Sequence, residues 1–247
     1  MISLLATYEQ DEHYHLILPW AEIDLEDFWK LKFPDPSHDP KLSAWLKIQC
    51  CGIAGAVSQI HRYNTTSATT MLSRAGSSVP EACDAQSRCE SHQSPGQRNP
   101  KRLFGRHGDI KPSNILWFPD RNMPLDKISG ILKISDFGTA RFSENENISV
   151  QDRRMIPNSE PYQSPECRLP DGNISTQCDV WALGCVFLEF VCWYTGGREL
   201  LENFQHDRTY RYDSSSFFTI RRTETLQSTF AELKQPVVKV SRMMLRH

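Results

Sequence analysis

Two short polar runs hold the residue types that chemistry needs: His107-Gly108-Asp109-Ile110-Lys111-Pro112-Ser113-Asn114, and further on Asp136-Phe137-Gly138. Asp109 can take a proton from a hydroxyl, and Lys111 can neutralise a migrating anion. Asn114 and Asp136 offer one neutral and one anionic oxygen, the hard ligands that magnesium prefers. This set suits phosphoryl transfer, in which a protein supplies positioning and charge neutralisation and little covalent chemistry. Each residue alone has a plainer reading, Asp109 as a turn cap, Lys111 as an exposed lysine before proline, and Asn114 and Asp136 as turn residues. Their order and spacing together favour the chemical reading.

Residues of this kind must be held on loops between rigid elements. Ile115-Leu116-Trp117-Phe118 and Ile131-Leu132-Lys133-Ile134 read as two short strands that separate the polar runs as a hairpin. At the N-terminus Ile2 to Tyr8 and Tyr14 to Trp20 read as two strands joined by a charged turn at Glu9 to Glu12. Asp24 starts a short helix with acids in its first turn, and apolar spacing at Trp45, Ile48, Ile53, Val57 and Ile60 predicts a helix from Leu42 to Tyr63. Residues 64–102 turn to Ser, Thr, Gly, Pro and Gln, the composition of a loop or disordered insertion. Val180 to Tyr194 reads as a buried helix too short for a membrane span, stopped at Thr195-Gly196-Gly197. Beyond it the pattern is weak: Phe217 to Ile220 is taken to open another helix, and the last stretch to His247 is taken as helical.

A chain of 247 residues with 39% hydrophobic content can bury a core, and a net charge of −2 gives no global attraction to nucleic acid or an anionic membrane. No secretory signal opens the sequence, so its eight cysteines read as reduced and the expected location is intracellular, cytoplasmic or nuclear. Cys178, Cys185 and Cys192, spaced by seven, read as small buried hydrophobes on one helical face. Cys83, Cys89 and His92 lack a tight Cys-x-x-Cys pair and make a poor zinc site.

The run from Asp109 to Asn114 resembles the catalytic loop of eukaryotic protein kinases, and Asp136-Phe137-Gly138 resembles their magnesium-binding motif. Further markers follow in order. Ser164-Pro165-Glu166 resembles the Ala-Pro-Glu that closes the activation segment, and Asp179-Val180-Trp181-Ala182-Leu183-Gly184 resembles the start of the central buried helix. Leu16 to Trp20 followed by Asp24-Leu25 resembles the last small-lobe strand running into the hinge, which places Pro19, Trp20 and Ala21 beside the nucleotide. The similarity covers roughly residues 1–30 and 103–195, and its wording resembles fungal kinase-like proteins.

The resemblance implies an α+β, protein-kinase-like fold with a mainly helical large lobe and a remnant of about two small-lobe strands. It divides the chain into a small-lobe remnant and hinge (1–20), first large-lobe helices (21–63), the insertion (64–102), the catalytic region (103–195) and a weakly assigned C-terminal region (196–247). It implies ATP and Mg2+ as ligands and a protein substrate with a Ser/Thr acceptor. Asp109 is then the proton acceptor, Lys111 the phosphoryl-neutralising cation, and Asn114 and Asp136 the metal ligands. Phe137, Gly138, Ser159 and Glu166 belong to the activation segment, with His107 and Asp179 in structural support. Lysine at position 111 and a hydroxyl at Ser159 resemble the serine/threonine branch.

Three departures stand beside this. No glycine-rich loop, ATP-anchoring lysine or partner glutamate precedes Ile2, so the chain reads as truncated, with a sheet edge that a partner chain would cover. Gly108 stands where most kinases carry a phosphate-receiving arginine. Glu166 has no assigned arginine partner. The alternative reading is therefore an inactive kinase-derived binding or scaffold module. A small-molecule phosphotransferase of related fold is disfavoured by the Ser164 to Glu166 and Asp179 to Gly184 markers.

Overall fold

Two aspartates start the N-terminal helices by satisfying backbone donors that a helix leaves open. Asp24 accepts from the Asp27 amide at 2.9 Å and opens α1 (Leu25–Asp27), which runs into a π-helical turn, Phe28–Lys32. Asp39 accepts from the Leu42 amide at 2.7 Å and, with Pro40 in the first turn, opens α2 (Pro40–His61). The computed structural model describes residues 2, 4–64, 102–124, 127–143, 160–210, 212, 214–223 and 228–244. Most of the Ser-rich insertion, including Cys83, Cys89 and His92, lies outside the described residues, and so does Ser159.

Among the described residues the strands form four small antiparallel sheets. β1 (Ala6–Gln10) pairs with β2 (His13–Ile17) through a two-residue turn in which Asp11 and Glu12 have φ of 50° and 62°. The ladder thus runs through Glu9 and Gln10, which the sequence reading had put in the turn. Every residue of both strands is exposed, so burial sets no polarity requirement that would end the strand at a charge. β3 (Ile23–Asp24), β6 (Ile115–Phe118) and β7 (Ile131–Ile134) form one three-stranded sheet, and β4 (Tyr63–Asn64), β5 (Arg102–Arg106) and β8 (Arg141–Ser143) form another.

The core lies among α1, α2, the β6–β7 hairpin and α3 (Gln177–Tyr210). Phe28 sits at its centre, with ring centroids 5.3 Å from Trp117 and 5.7 Å from Trp193. The indole N–H groups of Trp117 and Trp193 donate to the Ser129 and Phe33 carbonyls, both at 2.7 Å. On α2 the buried side is Leu42, Gln49, Ile53, Val57 and Ile60, whereas Ile48 is 67% exposed and does not belong to the core. Gln49 is the polar member of that face. Its amide donates to the Gly130 carbonyl and accepts from the Leu132 amide, holding β7 against the helix.

The stop expected at Thr195 to Gly197 is a break inside α3, not its end. Gly197 has φ of +64°, and a side chain there would meet the Pro34 carbonyl, whose oxygen accepts from the Arg198 amide at 2.7 Å. Helix resumes afterwards and buries Leu201, Phe204 and Arg208, a segment the weak pattern beyond Val191 did not reveal. Phe217 to Ile220 does not begin a helix: Phe218–Arg222 is β9, paired with β10 (Thr229–Leu233). Aromatic and β-branched side chains there favour a strand once a partner is present. The chain closes with α4 (Gln235–Met244), whose Val237 and Val240 are buried in the same core.

Among the described residues one helix, α3, is long and apolar enough by composition to cross a bilayer. The break at Gly196 and Gly197 and its buried Val186, Phe190 and Trp193 make it the core helix of this fold.

Candidate active site

Strand register brings the two polar runs together. Residues 107–114 leave β5 and enter β6, while residues 135–140 leave β7 and enter β8. Because Ile115 pairs with Ile134 and Arg106 with Arg141, both runs are pinned at both ends to each other's strands. The Ser135 amide and hydroxyl donate to the Asn114 carbonyl at 2.9 and 3.0 Å, which places Asn114 and Asp136 side by side.

Within the first run, Lys111 Nζ lies 2.8 Å from Asp109 Oδ2. Asn114 Nδ2 donates to the Asp109 carbonyl at 2.8 Å and to Asp109 Oδ2 at 3.0 Å. With its nitrogen so engaged, the remaining polar atom of that amide is Oδ1, the atom suited to a cation. Asp136 is exposed and adopts φ of 59°, an uncommon left-handed conformation for a non-glycine residue. Its Oδ1 accepts from the Gly138 amide at 3.2 Å. Strain of this sort collects at functional sites.

A buried polar layer supports the loop from beneath. Asp179, 1% exposed at the start of α3, accepts from the His107 and Gly108 amides, both at 2.8 Å, and from His61 Nε2 at 3.0 Å. Those bonds satisfy one buried and one half-buried backbone donor and the carboxylate together. His107 is fully buried: Nδ1 accepts from the Asp109 amide at 3.3 Å, so Nε2 carries the proton donated to the Ser135 carbonyl at 3.0 Å. Phe137 sets its ring edge on His107 at 5.0 Å, and the Thr139 hydroxyl donates to the His107 carbonyl. Gly108 has φ of +84°, which favours glycine where the wider pattern has arginine.

The structure therefore groups Asp109, Lys111, Asn114, Asp136, Phe137, Gly138, His107 and Asp179. Pro19, Trp20 and Ala21 lie outside that group: they link the N-terminal hairpin to β3, and Trp20 is 92% exposed. The link to the site is indirect, through the pairing of Asp24 with Leu116 just past Asn114. Glu166 is half-buried in the turn Pro165–Cys167 and forms no ion pair among the described residues.

Sequence reasoning missed a second buried network beside this site. Glu189, fully buried on α3, accepts from Arg208 Nη1 and Nη2 at 3.3 Å, from the Tyr162 hydroxyl at 2.7 Å and from Gln205 at 3.2 Å. Burial pushes its carboxyl above the usual carboxylate range, with Arg208 pulling the other way. Burial and the neighbouring Glu189 likewise raise the Tyr162 phenol. Arg208 also lies over the Phe217 ring at 3.8 Å. Glu189 inside an apolar run was the available signal, since a buried carboxylate needs a partner. His61, in the last turn of α2, left none.

This arrangement is that of a protein kinase large lobe, and the chain belongs to the protein kinase domain family, whose profile matches residues 105–246. Similar proteins include the glycogen synthase kinase-3 homolog YGK3 of Saccharomyces cerevisiae, 38% identical over 86 residues, which are 34% of this chain and 20% of that protein. Glycogen synthase kinase 1 of Pyricularia oryzae is 40% identical over 87 residues, 34% of this chain and 18% of the relative. The probable cyclin-dependent kinase 8 of Dictyostelium discoideum is 35% identical over 85 residues, 34% and 21%. The chain thus spans about a fifth of the length of the curated relatives it matches.

Proposed function

We propose that this chain carries the catalytic face of a serine/threonine protein kinase and serves transfer of the ATP γ-phosphoryl group to a serine or threonine hydroxyl of a protein. The observation that carries this reading is the contact of Lys111 with Asp109 at 2.8 Å, with Asn114 bonded to the same carboxylate oxygen and Asp136 on the adjoining turn. Asp109 orients the acceptor hydroxyl and takes its proton, and Lys111 neutralises charge on the group in flight. Asn114 Oδ1 and the Asp136 carboxylate would hold magnesium. Few protein oxygens with the remainder from phosphate and water is how that ion is usually bound. When bound, it screens the phosphate charges against the attacking oxygen. Pro19 to Ala21 would border the nucleotide, and Ser159 and Glu166 would shape the peptide side.

The test is magnesium-dependent transfer of labelled phosphate from ATP to a protein substrate, with Asp109→Ala and Asp136→Ala alongside. The wild type is expected to exceed both variants at least a hundredfold, as loss of a positioned proton acceptor implies. Equal transfer by all three would mean that this chain does no phosphoryl transfer.

A second reading, a binding module derived from a kinase, is favoured by the exposed apolar hairpin, where Tyr14 is 78% and Leu16 64% exposed. There a partner chain would cover β1 and β2 within an intracellular assembly. Thermal-shift titration with ATP and magnesium separates the two: saturable stabilisation supports the enzyme, and its absence supports the module.

A further inference from the structure

Beneath the loop that holds Asp109 lies a cavity of about 30 Å³, lined among others by Arg106, Ser164, Cys167, Cys178 and Asp179. It has room for a guest little larger than one water. Two features of its wall are unused by phosphoryl transfer. The first is Arg106, only 6% exposed, whose Nε has no hydrogen-bond partner among the described residues. Its guanidinium carbon lies 3.7 Å from where a Cβ on Gly108 would sit, an ordinary contact distance. A buried guanidinium N–H left without an acceptor is costly.

The second is a pair of cysteines that line this small cavity together from different elements, Cys167 from the turn Pro165–Cys167 and Cys178 from the first turn of α3. Cys178 is 8% exposed, and the Ser164 hydroxyl lies 3.4 Å from Cys167 Sγ. The hydrogen bond from Cys167 lowers the Cys178 thiol to about 6, assisted by Ser164, the Ser175 amide and Arg106, while Cys167 is driven the other way. Cys178 is thereby the thiol drawn toward its thiolate and Cys167 the one held protonated, the division of labour of an attacking and a resolving cysteine. Cys185 and Cys192, on the same helix, are buried thiols pushed well up by burial and share none of this.

The geometry points to Cys167 and Cys178 as a peroxide-sensitive pair that closes a disulfide under the catalytic loop. The Cys178 thiolate attacks one oxygen of hydrogen peroxide; an S–O bond forms, the O–O bond breaks, and the departing hydroxide takes the Cys167 proton to leave as water. The Cys167 thiolate then attacks the sulfenic sulfur of Cys178; the S–S bond forms, and the second hydroxide leaves and is protonated to water. The two sulfurs lose two electrons and the peroxide gains them, so two thiols and one peroxide give one disulfide and two waters. Cys178 is bonded directly to Asp179, which holds the His107 and Gly108 amides, and Cys167 directly to Glu166. Oxidation therefore acts on the anchor of the proposed active site from below.

The test treats the full chain with hydrogen peroxide, blocks remaining thiols with iodoacetamide, and maps peptides by mass spectrometry. The expected result is a peptide pair linked through Cys167 and Cys178 that disappears on treatment with dithiothreitol. In Cys167→Ser the expected result is no link and a dimedone adduct on Cys178. Recovery of both cysteines fully alkylated after peroxide overturns the proposal, as does a link from either one to a third cysteine. Circular dichroism checks that the variant is folded; if it is not, the wild-type peptide map decides alone.

Discussion

The loop from His107 to Asn114 and the N-terminal hairpin are both rich in polar side chains and are built on opposite principles. In the loop His107, Asp109, Lys111 and Asn114 are tied to one another or to their neighbours, and the carboxylate beneath it serves residues 72 and 118 positions away in sequence. In the hairpin β1 and β2 bond to each other and every strand position faces solvent. A two-stranded ribbon without a buried face is marginal by itself. The contrast shows where this fold invests its specificity, in the layer under Asp109 and not in the strands that precede β3.

The sharpest way to break that contrast is Asp179→Ala. It leaves the buried His107 amide and the half-buried Gly108 amide without an acceptor, at about 1–3 kcal/mol each, so urea denaturation should show a loss of roughly 2–5 kcal/mol. A loss below 1 kcal/mol would mean that water replaces the carboxylate and that the anchor is not rigid. Glu189→Ala should cost a similar roughly 3–5 kcal/mol by leaving Arg208 buried without its carboxylate. Gly108→Ala should cost about 1 kcal/mol, because alanine must take φ of +84°.

Lys234 supplies a pH-dependent version of the same test. It is 1% exposed, with Nζ donating to the Arg208 and Ser214 carbonyls, and burial followed by Arg208 and Arg168 lowers its pKa to about 8. The unfolded chain binds that proton up to about 10.4. Between those values the unfolded state holds more proton than the folded one, so this group's contribution to stability increases as pH rises from about 8. Chemical denaturation across that range should show the rise in the wild type and a smaller one in Lys234→Met. The smallest effect belongs to the hairpin: Leu16→Ser, at a position 64% exposed, should change unfolding free energy by less than about 0.5 kcal/mol.

What was legible in the sequence was local. The strands at Ile115 to Phe118 and Ile131 to Ile134 were readable because apolar runs bounded by Pro119 and Gly130 have few other uses. Asp109, Lys111, Asn114 and Asp136 were readable because their spacing is set by a turn and a hairpin. The second helical segment after Gly197 was not readable, since its buried side includes Arg208, a charge that only Glu189 makes tolerable there. Phe217 to Ile220 went astray for a related reason: strand and helix compete over so short a run, and the winning partner, Thr229–Leu233, lies further along the chain.

By itself the sequence determined which groups could perform phosphoryl transfer and that they sit on loops at strand ends, because turns and short hairpins encode spacing within a few residues. Only the tertiary structure decided what holds those groups. His61 reached Asp179, Arg208 reached Glu189, and Cys167 met Cys178 because elements distant in the chain packed on one core, and no local pattern records which buried charge or thiol will face which.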